Sequence, residues 1–250
     1  MNKIVNEIIC GDCLEVMKFI PDKSINLVLT DPPFGINYDI WDKKDFDWFD
    51  KWIKECFRLL KDDGSFYVFS NYKKVAELKL LCDKYGIIQN WIIWCYSTGG
   101  ASKSRWARKH TDILFYSKTK NYKFNTQKRR SYYNKIFFGK YKRDEEGRMY
   151  ADVLMTDWWT DIPSLINVSK ERKSNWDESH KAIVKTQKPL ALIERIIKAS
   201  SKEGDLVLDP FLGSGTTAVV CQNLNRNFIG IEINPDYCKI SEKRLKEENE

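Results

Sequence analysis

Short apolar runs alternate along the chain with segments whose apolar positions recur every three or four residues, and this alternation predicts strands and helices in turn. Ile25-Asn26-Leu27-Val28-Leu29 carries four aliphatic residues in five positions and is closed by Pro32-Pro33, so it reads as a buried strand that stops just after Asp31. Before it, KIVNEIICGD predicts a short strand ending at Gly11-Asp12, and LEVMKFI predicts a helix stopped by Pro21-Asp22. Residues 35–47 are polar and turn-rich and read as a mobile loop over a site. WFDKWIKECFRLL places Trp48, Trp52, Ile53, Cys56, Leu59 and Leu60 at helical spacing, and Asp62-Asp63-Gly64 ends that helix. SFYVFS, residues 73–85 and residues 90–96 then read as strand, helix and strand. A βαβ rhythm of this kind predicts a parallel sheet with helices on both faces.

The rhythm breaks at Ser97-Thr98-Gly99-Gly100-Ala101-Ser102. One strand is legible beyond it, Asp112 to Ser117, and nothing periodic follows until about residue 187. The span from 118 to 180 is too long for an ordinary loop and reads as an insertion, with Trp158-Trp159-Thr160-Asp161-Ile162-Pro163 as the place where it packs back on the core. The alternation then resumes. LALIERIIKAS follows Pro189 as a helix ended by Gly204, residues 205–209 form a buried strand, and Pro210 to Gly215 form a tight turn opening a helix at 216–224. Residues 228–234 are the next strand, and a charged helix closes the chain.

Composition narrows the class. At 250 residues, with 42% hydrophobic and 31% charged residues, the chain fits one α/β domain carrying a sizeable insertion. It has no run of eighteen apolar residues and no signal-like start, so a cytoplasmic protein without a membrane partner is expected. The seven cysteines are an odd number, and Cys56, Cys82, Cys95 and Cys221 lie in apolar stretches as small hydrophobes. Cys10 and Cys13 lack a second pair or nearby histidines, so no metal site is expected. The net charge of +7 is unevenly spread: residues 101–150 hold fifteen Lys and Arg against four acids, a local +11 that leaves the rest at −4. Trp106, Phe115, Tyr116, Tyr122, Phe124, Tyr132, Tyr133, Phe137, Phe138 and Tyr141 are interleaved with that charge, which suits phosphate contact and base stacking. Arg105, Arg108, Lys128, Arg129 and Arg130 are the candidates for DNA contact, and each could equally be a solvated surface residue.

Two stretches carry candidate chemistry. Asp31 closes a strand at the sheet edge where open α/β folds bind ligands. Its carboxylate and the carbonyls of Pro32 and Pro33 offer acceptors and almost no donors, and Phe34 adds a flat apolar face. That combination suits a planar group with an exocyclic amine, such as adenine or cytosine; a Pro-Pro turn capped by Asp31 is the plainer alternative. Gly213-x-Gly215-x-x-Ala218 lies between a strand and a helix, and Glu232 ends the next strand nineteen residues after Gly213. This spacing suits a nucleoside-containing ligand whose ribose meets the acid. NAD fits poorly, since one strand follows the motif and no second nucleotide-binding half does.

The combination of D-P-P-F, then T-Q-K-P, then D-P-F-L-G-S-G-T-T closely resembles the DNA amino-methyltransferases, which methylate adenine N6 or cytosine N4 with S-adenosylmethionine. The motif order is similar to their permuted β group, and the resemblance spans roughly residues 5–100 and 180–245. It implies a Rossmann-like methyltransferase sheet in which residues 1–97 form the catalytic half, 98–180 an inserted basic target-recognition region and 181–250 the cofactor half. It further implies that Asp31, Pro32, Pro33 and Phe34 are catalytic, with Phe34 stacking on a base flipped out of duplex DNA. Asp31, Asp209, Phe211, Gly213, Ser214, Gly215 and Thr216 would surround the cofactor, Glu232 would hold its ribose and Asp12 its adenine, and Thr186 and Lys188 would lie near its methionine carboxylate. Val184-Lys185 stand where the family usually has His-Pro, and Phe34 where many members have Tyr. Asp31 favours adenine, because the cytosine N4 members commonly have Ser there. A homodimer and a cognate restriction endonuclease are partners known among similar proteins. The alternatives are an RNA or cytosine N4 methyltransferase and, from another class, a catalytically inactive nucleic-acid-binding module.

Overall fold

The computed structural model describes residues 4–33, 46–97, 101–132, 141–166, 169–173, 184 and 186–247. In chain order the elements are β1 (Glu7–Cys10), α1 (Cys13–Met17), β2 (Ile25–Thr30), α2 (Phe46–Leu59), β3 (Leu60–Ser70), α3 (Val75–Cys82), β4 (Ile87–Cys95), β5 (His110–Ser117), β6 (Lys128–Tyr132), β7 (Lys142–Arg143), β8 (Met149–Leu154), β9 (Trp158–Trp159), α4 (Lys170–Lys173), α5 (Leu190–Ser200), β10 (Leu206–Asp209), α6 (Thr216–Asn223), β11 (Asn227–Glu232) and α7 (Pro235–Glu247).

Eight strands form one sheet in the order β1-β11-β10-β2-β3-β5-β4-β9. β2 is buried at every position, and alternate side chains feed the two faces. Val28, Phe66 and Val68 pack under Trp52, Ile53, Cys56 and Phe57 of α2. Leu27, Leu29, Tyr67 and Phe69 pack under Leu192, Ile193, Ile196 and Ile197 of α5. Helices therefore cover both faces as the βαβ rhythm predicts, and each large apolar side chain so buried contributes about 1.5–3 kcal/mol.

Three expectations are corrected. The sheet is not wholly parallel: β5 pairs antiparallel with both β3 and β4. β3 and β4 are joined by a parallel crossover through α3 that leaves a one-strand gap between them, and β5 fills it as the return strand of a hairpin. Asp62-Asp63-Gly64 is not a break after α2 but part of β3, which pairs with β2 at Leu60 and again from Ser65 across an irregular register. A Cβ at Gly64 would stand 2.9 Å from the Lys61 carbonyl oxygen, so glycine alone fits this kink. The insertion, expected to lack periodic structure, contains a second antiparallel sheet in the order β6-β8-β7. The expected docking segment does return to the core: β9 pairs parallel with β4, Trp159 and Ile162 are buried, and the Trp94 indole N–H donates to the Ile162 carbonyl at 2.8 Å.

The predicted loop at 35–47 lies outside the described residues up to position 45, and α2 begins at Phe46. Among the described residues, no helix is long and apolar enough to cross a membrane.

Candidate active site

β2 and β10 are 180 residues apart in sequence and adjacent in the sheet, with Val207 opposite Leu27 and Leu208 opposite Val28. Asn26 ties their starts together, accepting from the Leu206 N–H at 3.0 Å. Because the strands are parallel, Asp31 and Asp209 emerge side by side at the carboxyl edge, joined there by β11 with Glu232 and β1 with Cys10. The two motifs thus share one cavity of about 820 Å³, lined among others by Asp12, Asp31, Pro33, Thr186, Lys188, Asp209, Phe211, Gly213, Ser214, Thr216 and Glu232. That volume lies within the range of sites for small molecules and cofactors.

Asp31 Oδ2 forms an ion pair with Lys188 Nζ. Its other oxygen, Oδ1, is buried and has no hydrogen-bond partner among the described residues. A buried acceptor left unpaired is costly, and such an atom on a cavity wall marks a place where a ligand donor belongs. Pro32 is buried behind the wall, Pro33 lines it, and Phe34 lies outside the described residues.

Asp209 is fully buried and fully engaged. Its Oδ1 accepts the Thr30 hydroxyl at 2.8 Å and the Phe211 N–H at 3.1 Å, and its Oδ2 accepts the Thr217 hydroxyl at 2.6 Å. Burial pushes its carboxyl up to about 6, against the pull of the donors from Thr217, Thr30 and Phe211. Asp209 thus ties β2 to the glycine turn more than it faces the cavity.

The turn itself follows from its glycines. Gly213 has φ +57° and Gly215 φ +82°, conformations that side chains disfavour. At Gly213 a Cβ would find only Val184, at 3.9 Å, whereas at Gly215 it would strike Ser241 of α7 at 2.9 Å. Gly215 accordingly lies behind the turn and precedes the first residue of α6, away from the cavity lining. α7 supports the loop through Ser241, whose hydroxyl donates to the Gly213 carbonyl at 2.8 Å, and through the buried Arg244, which donates to the Ser214 hydroxyl at 2.9 Å. Sequence patterning gave no sign of that support from the charged terminal helix.

Glu232 Oε2 accepts the Gly213 N–H at 2.8 Å and Oε1 accepts the Asn234 N–H at 2.9 Å. Burial raises its pKa, and the N–H groups of Asn234, Gly213 and Ile233 oppose the rise. Two N–H bonds leave acceptor capacity on this carboxylate for ligand hydroxyls. Asp12 caps α1, accepting from Leu14 N–H at 2.8 Å, and lines the same end of the cavity. Phe211 is propped edge-on against Trp52, with ring centroids 5.2 Å apart, and against Trp48 at 5.6 Å. Trp48, Phe69, Gln187 and Tyr237 complete the wall and were not picked out from the sequence. Thr186 is exposed, and Lys188 sits with its ammonium 5.2 Å from the centre of the Phe69 ring.

The basic segment divides in two. Phe115 and Tyr116 are core residues of β5, not surface aromatics as their interleaving with basic residues suggested. Tyr133, Phe137 and Phe138 lie outside the described residues. Arg105 and Arg108 are exposed between β4 and β5, where the Arg108 guanidinium stacks on Tyr72 at 3.9 Å and Trp106 is 96% exposed. Lys128, Arg129 and Arg130 are exposed on β6, with Arg130 over the Tyr150 ring at 4.0 Å and Arg148 of the neighbouring β7–β8 turn over Tyr132 at 4.8 Å. Among the described residues, no group of three or more His, Cys, Asp or Glu could hold a metal ion.

The chain is similar to DNA methyltransferases along most of its length. The type II methyltransferase M.HpaI of Haemophilus parainfluenzae is 35% identical over 254 residues, covering 96% of this chain and 74% of that protein. The DNA adenine methyltransferase YhdJ of Escherichia coli (strain K12) is 36% identical, covering 95% of this chain and 82% of that protein. The solved structure of M1.HpyAVI in complex with SAM matches with a TM-score of 0.67 at 26% identity, covering 96% of this chain and 98% of that one. A family model described as DNA methylase, of the N6 and N4 type, matches residues 25–243, and this chain belongs to that family.

Proposed function

We propose that the chain transfers the methyl group of S-adenosylmethionine to N6 of an adenine flipped out of duplex DNA. The observation that carries this reading is Asp31 Oδ1, a buried acceptor without a partner among the described residues, on the wall of the cavity that also holds the glycine turn. The cavity fits the cofactor at three points. Glu232 and Asp12 offer carboxylates at the end suited to a ribose and an adenine ring, Gly213 leaves space where a side chain would intrude, and Lys188 offers a cation at the end near Asp31. When bound, the cofactor supplies an electrophilic methyl group on a sulfonium centre.

The residues of this chain do the rest. The lone pair of an exocyclic amine is delocalised into its ring, which makes it a weak nucleophile. Asp31 Oδ1 accepting one N6–H, and a carbonyl of the Pro32-Pro33 pair accepting the other, would draw the nitrogen toward tetrahedral geometry and return that pair to it. Asp31 then takes up the proton released on methylation, directly or through water. Because the methyl group passes directly from sulfonium to amine, no covalent intermediate forms and no cysteine is needed as a nucleophile. Asp31, where cytosine N4 members commonly carry Ser, supports adenine as the base.

Residues 98–180 serve as the target-recognition region in this reading. Support comes from the small sheet that displays Lys128, Arg129, Arg130, Lys142 and Arg143 on exposed positions. A dimer and a cognate restriction endonuclease are further partners of the same proposal.

Incubating mixed-sequence duplex DNA with methyl-labelled S-adenosylmethionine and digesting to nucleosides tests the reaction. N6-methyladenine is expected, and N4-methylcytosine as the labelled product would overturn the assignment of the base. Asp31→Asn keeps the shape and removes the charge; it should abolish transfer while the protein still binds S-adenosylhomocysteine. Full turnover by that variant would remove Asp31 from the mechanism.

A further inference from the structure

Trp106 is 96% exposed, whereas Trp52, Trp94 and Trp159 are buried. Single exposed apolar side chains are common on protein surfaces. This one is set among charges of one sign: residues 101–109, ASKSRWARK, hold Lys103, Arg105, Arg108 and Lys109 and no acid. Such a run attracts a polyanion and repels a second copy of itself. Its base is anchored, because the Lys109 ammonium donates to the Ser97 carbonyl at 2.9 Å and the Arg108 guanidinium lies 3.9 Å over the Tyr72 ring, just past the end of β3. Trp106 is thus held out from a fixed root.

Strand register places that root beside the reaction centre. Thr30 of β2 pairs with Val68, and Asp112 of β5 pairs with Ser70, two positions further along β3. The chain leading back from Asp112 through Arg108 to Trp106 therefore leaves the sheet at the rim where Asp31 stands, two strands and about 10 Å to its side. Extrusion of a base breaks its stacking and opens a gap in the duplex at that same rim. A flat, bicyclic indole can fill the gap and stack on the bases that remain, as apolar wedges do at unstacked steps.

We propose that Trp106 is a positioning residue that enters the duplex as the adenine leaves it, stacks on the bases left behind and keeps the target extruded, while Arg105 and Arg108 hold neighbouring phosphates. This deepens the base-flipping reading above and rests on it. The cavity acts on the extruded base, and the Trp106 segment acts on the duplex it came from. While the indole fills the gap, the adenine cannot stack back. Trp106 touches neither the cofactor nor the reacting nitrogen, so its loss weakens extrusion and leaves the chemistry of an already extruded base intact.

Two short duplexes test this, both carrying the site located in methylated product DNA. In one the target adenine is paired; in the other an abasic residue replaces the opposite thymine, so the adenine is already unpaired. Trp106→Ala should lower kcat/KM about 10- to 100-fold on the paired duplex, the range of one lost stacking partner, and by less than about threefold on the unpaired one. Trp106→Phe keeps a flat face and should stay within about threefold of wild type on both. Arg105→Ala and Arg108→Ala should instead weaken binding of both duplexes alike and flatten its salt dependence. Binding of S-adenosylhomocysteine should be the same in wild type and all variants. Full activity of Trp106→Ala on the paired duplex, an equal loss on both duplexes, a Trp106→Phe variant as poor as Trp106→Ala, or weakened S-adenosylhomocysteine binding by Trp106→Ala would each overturn the proposal. Absence of methylated product from wild type would overturn the reaction itself, a failure distinct from all of these. A cytosine product would change only the base placed in the two duplexes.

Discussion

Asp209 offers a test of the structure that needs neither DNA nor cofactor. Its carboxyl is raised from an ordinary value of 3.8 to about 6 because it is buried between β2 and the glycine turn, with only three neutral donors to compensate. A carboxyl with a raised pKa holds its proton more tightly in the folded state than in the unfolded one. Between pH 3.8 and about 6 the folded protein therefore binds more protons, and its stability falls as pH rises through that window. The full loss, at about 1.36 kcal/mol per pH unit, comes to about 3 kcal/mol above the folded value. Asp209→Asn is nearly isosteric and does not titrate. Its absolute stability relative to wild type combines relief of a buried charge with altered hydrogen bonds to Thr30 and Thr217. The change of that difference with pH isolates the carboxyl. Urea unfolding of both proteins at pH 4 and pH 7 should show the variant gaining about 2–3 kcal/mol relative to wild type across the interval. A difference that stays constant with pH would mean that Asp209 is solvated or paired with a charge, and the account of how it joins the two motifs would be wrong.

Two further outcomes follow from the turn and the small sheet. Gly215→Ala meets both a left-handed backbone and Ser241 at 2.9 Å, whereas Gly213→Ala meets the backbone penalty with its nearest neighbour at 3.9 Å. Urea denaturation should give a loss of about 1–2 kcal/mol for Gly213→Ala from backbone strain, and about 1–3 kcal/mol more for Gly215→Ala from overpacking; equal losses would contradict the geometry. Replacing Lys128, Arg129 and Arg130 together by Ala should flatten the salt dependence of duplex binding by about 0.9 in log–log slope for each phosphate no longer neutralised. An unchanged slope in a titration from low to moderate salt would remove β6 from the DNA surface.

Much of this architecture is written in hydrophobic patterning. β2, β10 and β11 are read from aliphatic runs because strands buried on both faces leave few polar positions. α2 is read from its apolar stripe, which packs as expected. The two motif turns lie where strand ends and glycines placed them, and they share a cavity as the family resemblance requires. What escaped the sequence has physical causes. KRRSY is exposed along most of its length and MYADVL is only partly buried, so the β6–β8 sheet carries no alternation to detect. β9 is two residues long, and the reversed direction of β5 is a property of its partners, not of its own residues. The pairing of Lys188 with Asp31 and that of Thr30 with Asp209 join residues 157 and 179 positions apart, a distance over which local pattern is silent. The support of the glycine turn by Arg244 is hidden for the same reason, behind a helix that reads as a solvated face.

The reversal of β5 has an outcome of its own. Had that strand run parallel to its neighbours, the chain leaving β4 would have needed to cross to the opposite edge before re-entering the sheet. Because it runs back instead, the fourteen-residue connector carrying Arg105, Trp106 and Arg108 begins and ends on the rim where Asp31 stands. The hairpin ladder holds only the two ends of that connector, where the Tyr96 N–H donates to the Lys109 carbonyl at 2.9 Å, so Arg105, Trp106 and Arg108 hang from the reactive rim of the sheet without being part of its pairing.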